Sequence, residues 1–195
     1  MKDLILIGGG GHCRSCIDVI ECEGKFRILG ILDKNLKIGT SVLRYSVIGD
    51  DSRIQELAGG GGGVMYFIFT LGKLELANLR KRLFDYLKKC NANISTIVSP
   101  LAHVSKYVSL GQGTIVMHHA LVNSGAKIGE NCIINSKSLV EHDAAVGDNC
   151  HVSTAAVING GVVVGAGSFI GSNSVIVQGA QIPDASFIRC GCVVG

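Results

Sequence analysis

The stretch NSGAKI GENCII NSKSLV EHDAAV GDNCHV STAAVI, residues 123–158, decides the architecture. Each sextet ends on Val or Ile, and outward from it the register holds from Val98 to Val194, with Val, Ile or Leu at every sixth residue. Two residues before each anchor stands Thr, Ala, Val, Cys or Ser and nothing larger, as at Ala126, Cys132, Ser138, Ala144, Cys150 and Ala156. A coil that turns a corner every six residues explains both columns: the branched residue points inward and the small one tucks in behind it. Three sextets then close a triangular turn, giving five to six turns with no room for an inserted loop. Gly111, Gly129, Gly147 and Gly165 follow every third anchor, and only Pro183 interrupts them. We read this column as bends that need unusual backbone angles.

The repeat covers only the second half of the chain, so two parts are expected, divided as residues 1–92 and 93–195. Few aromatics, no Trp and 27 glycines suit a stack of narrow coils better than one broad core. No apolar run approaches the roughly 18 residues of a spanning helix, and residues 1–8 are too short for a signal peptide. These features point to a soluble cytoplasmic protein. The eight cysteines raise disulfides or zinc. Cys132, Cys150 and Cys192 already occupy the small corner position, and Cys13 with Cys16 lacks a second pair or a histidine cluster. Reduced structural thiols and no metal are therefore expected. The basic stretch 80–89 alternates with Leu and Phe at helical spacing and reads as a solvated helix face, with no nucleic-acid partner.

In the first part an apolar run, residues 4–7, ends in Gly8-Gly9-Gly10-Gly11-His12 and leads into a helix through Cys16, Ile17, Val19 and Ile20. Further strands are expected at 26–32, around Val47 and Ile48, and at 64–70. Helices are expected at 54–57 and 74–89, with Leu74, Leu76, Leu79, Leu83, Phe84 and Leu87 inward. This alternation implies a small parallel α/β sheet. The glycine run 59–63 reads as a loop, and residues 91–95 as the link between the parts.

Three constellations carry candidate chemistry. The turn at Gly8 to His12 is either an anion cradle at a helix start or a structural tight turn; position 13 is Cys, so the dinucleotide fingerprint is not met. Glu141-His142-Asp143 lies between two anchors, where it must reach the coil surface. A carboxylate beside an imidazole raises its basicity and makes it a candidate general base, although spacing does not say which carboxylate touches it. His151 precedes anchor Val152, and His118-His119 follow Val116; His119 reads as a plain surface residue and His118 stays open.

The repeat, the Gly-Gly-Gly-Gly-His12 turn, Leu32-Asp33-Lys34, Val47-Ile48-Gly49-Asp50, and Val140-Glu141-His142-Asp143 followed by His151-Val152-Ser153 together resemble the hexapeptide-repeat sugar acyltransferases. That group contains sialic acid O-acetyltransferase and bacillosamine-type nucleotide-amino-sugar N-acetyltransferases. The resemblance implies an α/β N-terminal Rossmann-like parallel sheet followed by a left-handed parallel β-helix. It further implies a homotrimer with intersubunit active sites and acetyl-CoA as cosubstrate. The catalytic base and its partner fall on His142 and Asp143, and the coenzyme contacts on His151, Gly171, Ser172 and Cys190. The acceptor contacts fall on Gly10, Gly11, His12, Asp33, Lys34, Gly49 and Asn135. Asp143 stands where bacillosamine-type members have Glu, and Cys190 where a Gly is expected. The implied activity is N-acetylation of a UDP- or GDP-linked amino-deoxy sugar for surface glycan synthesis. O-acetylation of a sialic acid and a silent trimeric scaffold are the alternatives.

Overall fold

The computed structural model describes residues 1–59, 64–72 and 77–195. Leu74, Leu76 and positions 60–63 of the glycine run lie outside the described residues. The chain divides into Met1–Ser95 and Thr96–Gly195.

The first unit is an α/β sheet. Its strands are β1 (Lys2–Ile7), β2 (Phe26–Leu32), β3 (Ser41–Val42), β4 (Tyr45–Gly49), β5 (Met65–Phe69) and β6 (Asn93–Ile94), in the order β3-β4-β2-β1-β5-β6. All neighbours run parallel except β3 and β4, which form an antiparallel hairpin at one edge. Leu4, Ile5, Leu6 and Ile7 are all buried, as expected of a central strand covered on both faces. Helix α1 (Gly11–Glu23) buries Cys13, Cys16, Ile17, Val19 and Ile20 and stops at Gly24, whose left-handed φ of 69° lets its N–H return to Ile20 O. A single 3-10 turn (Asp51–Arg53) precedes α2 (Ile54–Ala58), and α3 (Ala77–Lys89) buries Phe84 and Leu87. Two expectations change here. The stretch 91–95 is not only a link, because β6 pairs with β5 and adds an edge strand. The basic face of α3 is not wholly solvated either: Arg80 is 6% exposed, while Lys81, Arg82, Lys88 and Lys89 face water.

The second unit is the expected coil, a left-handed parallel β-helix. Strands β7 (Ile97–Val98) to β23 (Val193–Val194) stack into three parallel sheets of six, six and five strands. Ile115 pairs with both Ile97 and Ile133, and Val122 with both Val104 and Val140, so each turn comprises three sextets. The anchors and the small column fill the core together: Val122, Ile134, Val140, Val152 and Ile158 are sealed with Ala126, Cys132, Ala144, Cys150 and Ala156.

The corners lie elsewhere than the glycine column suggested. From Gly113 to Gly191 the third residue after every anchor has φ between 53° and 79°, and this set includes His119, Asn131, Lys137, Asp143, Asn149 and Ala155. Gly111, Gly129, Gly147 and Gly165 are not in that conformation. Their constraint is contact between coils: a Cβ on Gly129 would come 2.7 Å from Asp148 N, one on Gly147 2.7 Å from Ala166 N, and one on Gly165 2.6 Å from Pro183 C. Beside this column runs a ladder of small donors. Thr114 Oγ1 donates to Gly129 O (2.8 Å), Cys132 Sγ to Gly147 O (3.1 Å), Cys150 Sγ to Gly165 O (3.1 Å) and Ser168 Oγ to Pro183 O (3.1 Å). Cys132 and Cys150 are thus small buried donors, and all eight cysteines are free thiols. Burial holds the Cys150 thiol up at about 11, far from a reactive thiolate.

Candidate active site

Two regions collect the candidate residues, one in each unit. In the first unit the carboxyl ends of β1, β2 and β5 surround a cavity of about 420 Å³, the place where open α/β sheets bind ligands. Gly8 to Gly11, His12, Asp33 and Lys34 line it, together with Thr70, Asp51 and Leu36. Thr70 follows β5 and offers no motif in the sequence, yet its hydroxyl donates to the carbonyls of Ile7 and Gly8 and ties two strand ends together. Gly49 is not among the lining residues. Its carbonyl accepts the Asp33 N–H at 2.9 Å, so it acts on the cavity through Asp33.

The glycine turn is built for close approach. Gly10 is the N-cap of α1, and Cys13 N closes onto Gly10 O at 3.0 Å. Gly9 N donates to Asp33 Oδ2 at 2.7 Å; a Cβ on Gly9 would come 2.7 Å from the Leu36 side chain. His12 packs under Gly72, where a Cβ would meet its ring at 2.6 Å. Burial, with Arg80's positive charge adding to it, pushes the His12 imidazole down to about 4. His12 is therefore neutral near pH 7, with the Arg80 charge acting on it.

In the second unit, strand β14 (Leu139–Val140) ends at a corner that carries Glu141, His142 and Asp143. The left-handed φ of Asp143, 59°, turns its carboxylate back to His142, and Nδ1 meets Asp143 Oδ2 at 2.9 Å. Asp143 is thus the carboxylate that orients the ring. Glu141 Oε2 instead accepts from Asn123 Nδ2 (2.9 Å) and from the His142 backbone N–H (3.2 Å). The hydrogen bond to Asp143, with lesser attraction from both carboxylates, raises the His142 pKa above its ordinary 6.5. With Nδ1–H donating to Asp143, Nε2 is left as the proton acceptor. It lies over Gly160 one turn on, where a Cβ would stand 2.8 Å from Nε2. Gly160→Ala is expected to displace the imidazole and lower turnover while leaving the far-UV circular dichroism unchanged. An unaltered kcat would show that the ring does not need this alcove.

His151 sits in β16 (His151–Val152), in a different sheet from β14. Its Nε2 lies 3.2 Å from Asn135 Nδ2, joining two residues that the sequence reading had given to different ligands. Its ring meets Phe169 edge-on at 5.2 Å, and Phe169 stacks on Phe187 at 5.3 Å. Gly171, Ser172 and Cys190 are also brought together: a Cβ on Gly171 would lie 2.5 Å from Cys190 N, and Gly191 N donates to Ser172 O at 2.9 Å. Ser172 Oγ is 2.9 Å from Ser153 Oγ. No hydrogen bond among the described residues connects His142 to His151 or to this group. His118 Nδ1 is engaged by Ser99 Oγ at 2.6 Å.

Residues 3–87 match the family described as PglD N-terminal domain. That stretch is similar to the PglD N-terminal domain across most of the first unit. The chain is also 28% identical over 117 residues to UDP-N-acetylbacillosamine N-acetyltransferase of Bacillus subtilis, across 60% of this chain and 52% of that protein. It thus spans about half the length of that curated relative. Among solved structures, a mutant of perosamine N-acetyltransferase from Caulobacter crescentus, in complex with CoA and GDP-perosamine, is 29% identical. It superposes with a TM-score of 0.91 over 100% of this chain and 89% of that one. The acetyltransferase domain of PglB from Neisseria gonorrhoeae, 23% identical with a TM-score of 0.90 over 100% and 92%, has the same fold. Similarity to sugar N-acetyltransferases thus runs from the first unit through the coil.

Proposed function

We propose that this protein is an acetyl-CoA-dependent N-acetyltransferase acting on the amino group of a UDP- or GDP-linked amino-deoxy sugar. The observation that carries the reading is the His142 imidazole held at Nδ1 by Asp143, with Nε2 over the side-chain-free Gly160. Its relatives of known activity support it: the Bacillus protein is an N-acetyltransferase of a UDP-linked amino sugar, and the Caulobacter structure holds CoA and GDP-perosamine.

The cavity of the first unit takes the nucleotide sugar. Backbone N–H groups at the start of α1 favour phosphate oxygens, and His12 and Lys34 complete the wall. Acetyl-CoA lies along His151, Gly171, Ser172 and Cys190, with Asn135 near the sugar. The sugar nitrogen attacks the thioester carbonyl, an N–C bond forms and the C–S bond breaks. His142 Nε2 takes the proton from nitrogen and returns it to the departing sulfur, so no covalent acyl-enzyme forms. Asp143 stabilises the imidazolium, and backbone N–H groups of the coil steady the oxyanion. The assembly is a homotrimer with intersubunit sites, in the cytoplasm where acetyl-CoA is made. The outward face of the second sheet suits such an assembly, with Leu121, Leu139, Val157 and Val175 in line and Val193 73% exposed.

The direct test offers acetyl-CoA with UDP- and GDP-linked 4-amino sugars and, separately, with free sialic acid, and follows CoA thiol release. Release with sialic acid alone would replace the amine with a hydroxyl acceptor, and no acetyl-CoA binding would leave a scaffold. The pH profile is a second test. His142 works as a base only when neutral, and its pKa is raised, so kcat/KM should fall on acidification through a value above 6.5. Asp143→Asn removes the main cause of that rise: the acid limb should move to lower pH and the plateau should drop. An unmoved acid limb would assign it to another group.

A further inference from the structure

Asp33 stands at the carboxyl end of β2, where α/β sheets that bind dinucleotides place an acid that grips the ribose 2′-hydroxyl. Here its carboxylate is turned to the protein. Oδ2 accepts the Gly9 N–H at 2.7 Å, and Oδ1 accepts the N–H groups of Asn35 (2.8 Å) and Leu36 (3.1 Å). Its own N–H is tied to Gly49 O at 2.9 Å. We propose that Asp33 is a positioning residue, a brace that joins the glycine turn after β1 to the loop after β2 and so sets the shape of the acceptor cavity. The proposal rests on the acceptor reading of that cavity and deepens it.

Three observations converge on this role. The Gly9 bond crosses between two segments 24 residues apart, so it fixes one wall of the cavity relative to the other. Asn35 and Leu36 are held by an Asx turn that curls the second loop toward the first, and Leu36 packs where a Cβ on Gly9 would stand. Three donated N–H groups also spread the Asp33 carboxylate charge into the backbone, which lessens its repulsion of the phosphates of a nucleotide sugar. With Asp33 committed to the backbone, recognition passes to the groups it positions: the amides of the glycine turn and the side chain of Lys34.

The test uses the full chain and the variants Asp33→Asn and Asp33→Ala. Hydrogen exchange followed by mass spectrometry, without ligand, should show the segments 8–11 and 34–36 exchanging about tenfold or more faster in Asp33→Ala and less so in Asp33→Asn, which keeps one oxygen acceptor. In acetyl transfer, KM for the nucleotide sugar should rise about tenfold or more in Asp33→Ala, with kcat and KM for acetyl-CoA within about twofold of the parent. Calorimetry then compares UDP and GDP with their 2′-deoxy forms. A brace predicts that the parent and Asp33→Asn lose the same factor on removal of the 2′-hydroxyl. A loss in the parent that vanishes in Asp33→Asn would make Asp33 a ribose ligand and overturn the proposal, as would unchanged exchange in Asp33→Ala. If neither nucleotide binds the parent, the acceptor reading fails, and the exchange rates alone still decide the brace.

Discussion

Replacing His142 with alanine is expected to lower kcat about 10²- to 10⁴-fold, the range that general-base catalysis supplies. The ring is 59% exposed at the side chain, so its removal leaves no buried cavity, and the fold and acetyl-CoA affinity should be unchanged. Single-turnover measurements with saturating acetyl-CoA check this, because they separate chemistry from binding. The loss should exceed that of Asp143→Asn, which keeps the base and removes only the partner that orients it. Near-normal turnover in the alanine variant would remove His142 from the mechanism and return the triplet to plain surface.

The second large effect concerns the coil. Gly111→Ala places a Cβ against Glu130 N and the Gly129 carbonyl group, all backbone atoms of the next turn that cannot rotate away. Overpacking of this kind costs about 1–3 kcal/mol, and the rigid contact puts it near the upper end. For a chain of this size that lowers the unfolding midpoint by about 2–4 °C per kcal/mol. Gly161→Ala is the matched comparison. That residue has φ of 66° with nothing within 4 Å of the added Cβ, so the variant carries only the cost of a left-handed residue, about 1–2 kcal/mol. Thermal unfolding by circular dichroism should rank Gly111→Ala as the less stable. The reverse order would mean that backbone angle, and not contact between turns, explains the glycine column.

That column shows where sequence reading stopped. The glycine period was visible, but its cause was not, since an unusual φ and a close neighbour favour the same residue. The true corner column mixes Gly, Asn and Asp, which tolerate a left-handed φ, with His119, Lys137, Ala155 and Ala185, and that mixture hides it. Arg80 was read as solvated because helical spacing shows which residues share a face and not what packs there; the structure buries it beside His12. Strand β6 went unread because two residues carry no period. In the candidate site, Gly8 to His12 was legible as a turn between strand and helix, whereas Asp33 and Lys34 rested on the family resemblance. Thr70 was not legible, because it reaches the same crevice from a strand more than sixty residues away.

The six-residue register alone was enough to determine the coil, its inward anchors and its small column, because a period read along the chain survives without knowledge of any partner. It also placed Glu141, His142 and Asp143 on the coil surface between two anchors. Only the tertiary structure decided that Asp143 and not Glu141 holds the imidazole, that Gly160 clears space for Nε2, and that Asp33 faces the backbone. Those relations join residues from different turns or strands, or depend on how a single φ aims a side chain, and neither quantity is periodic in sequence.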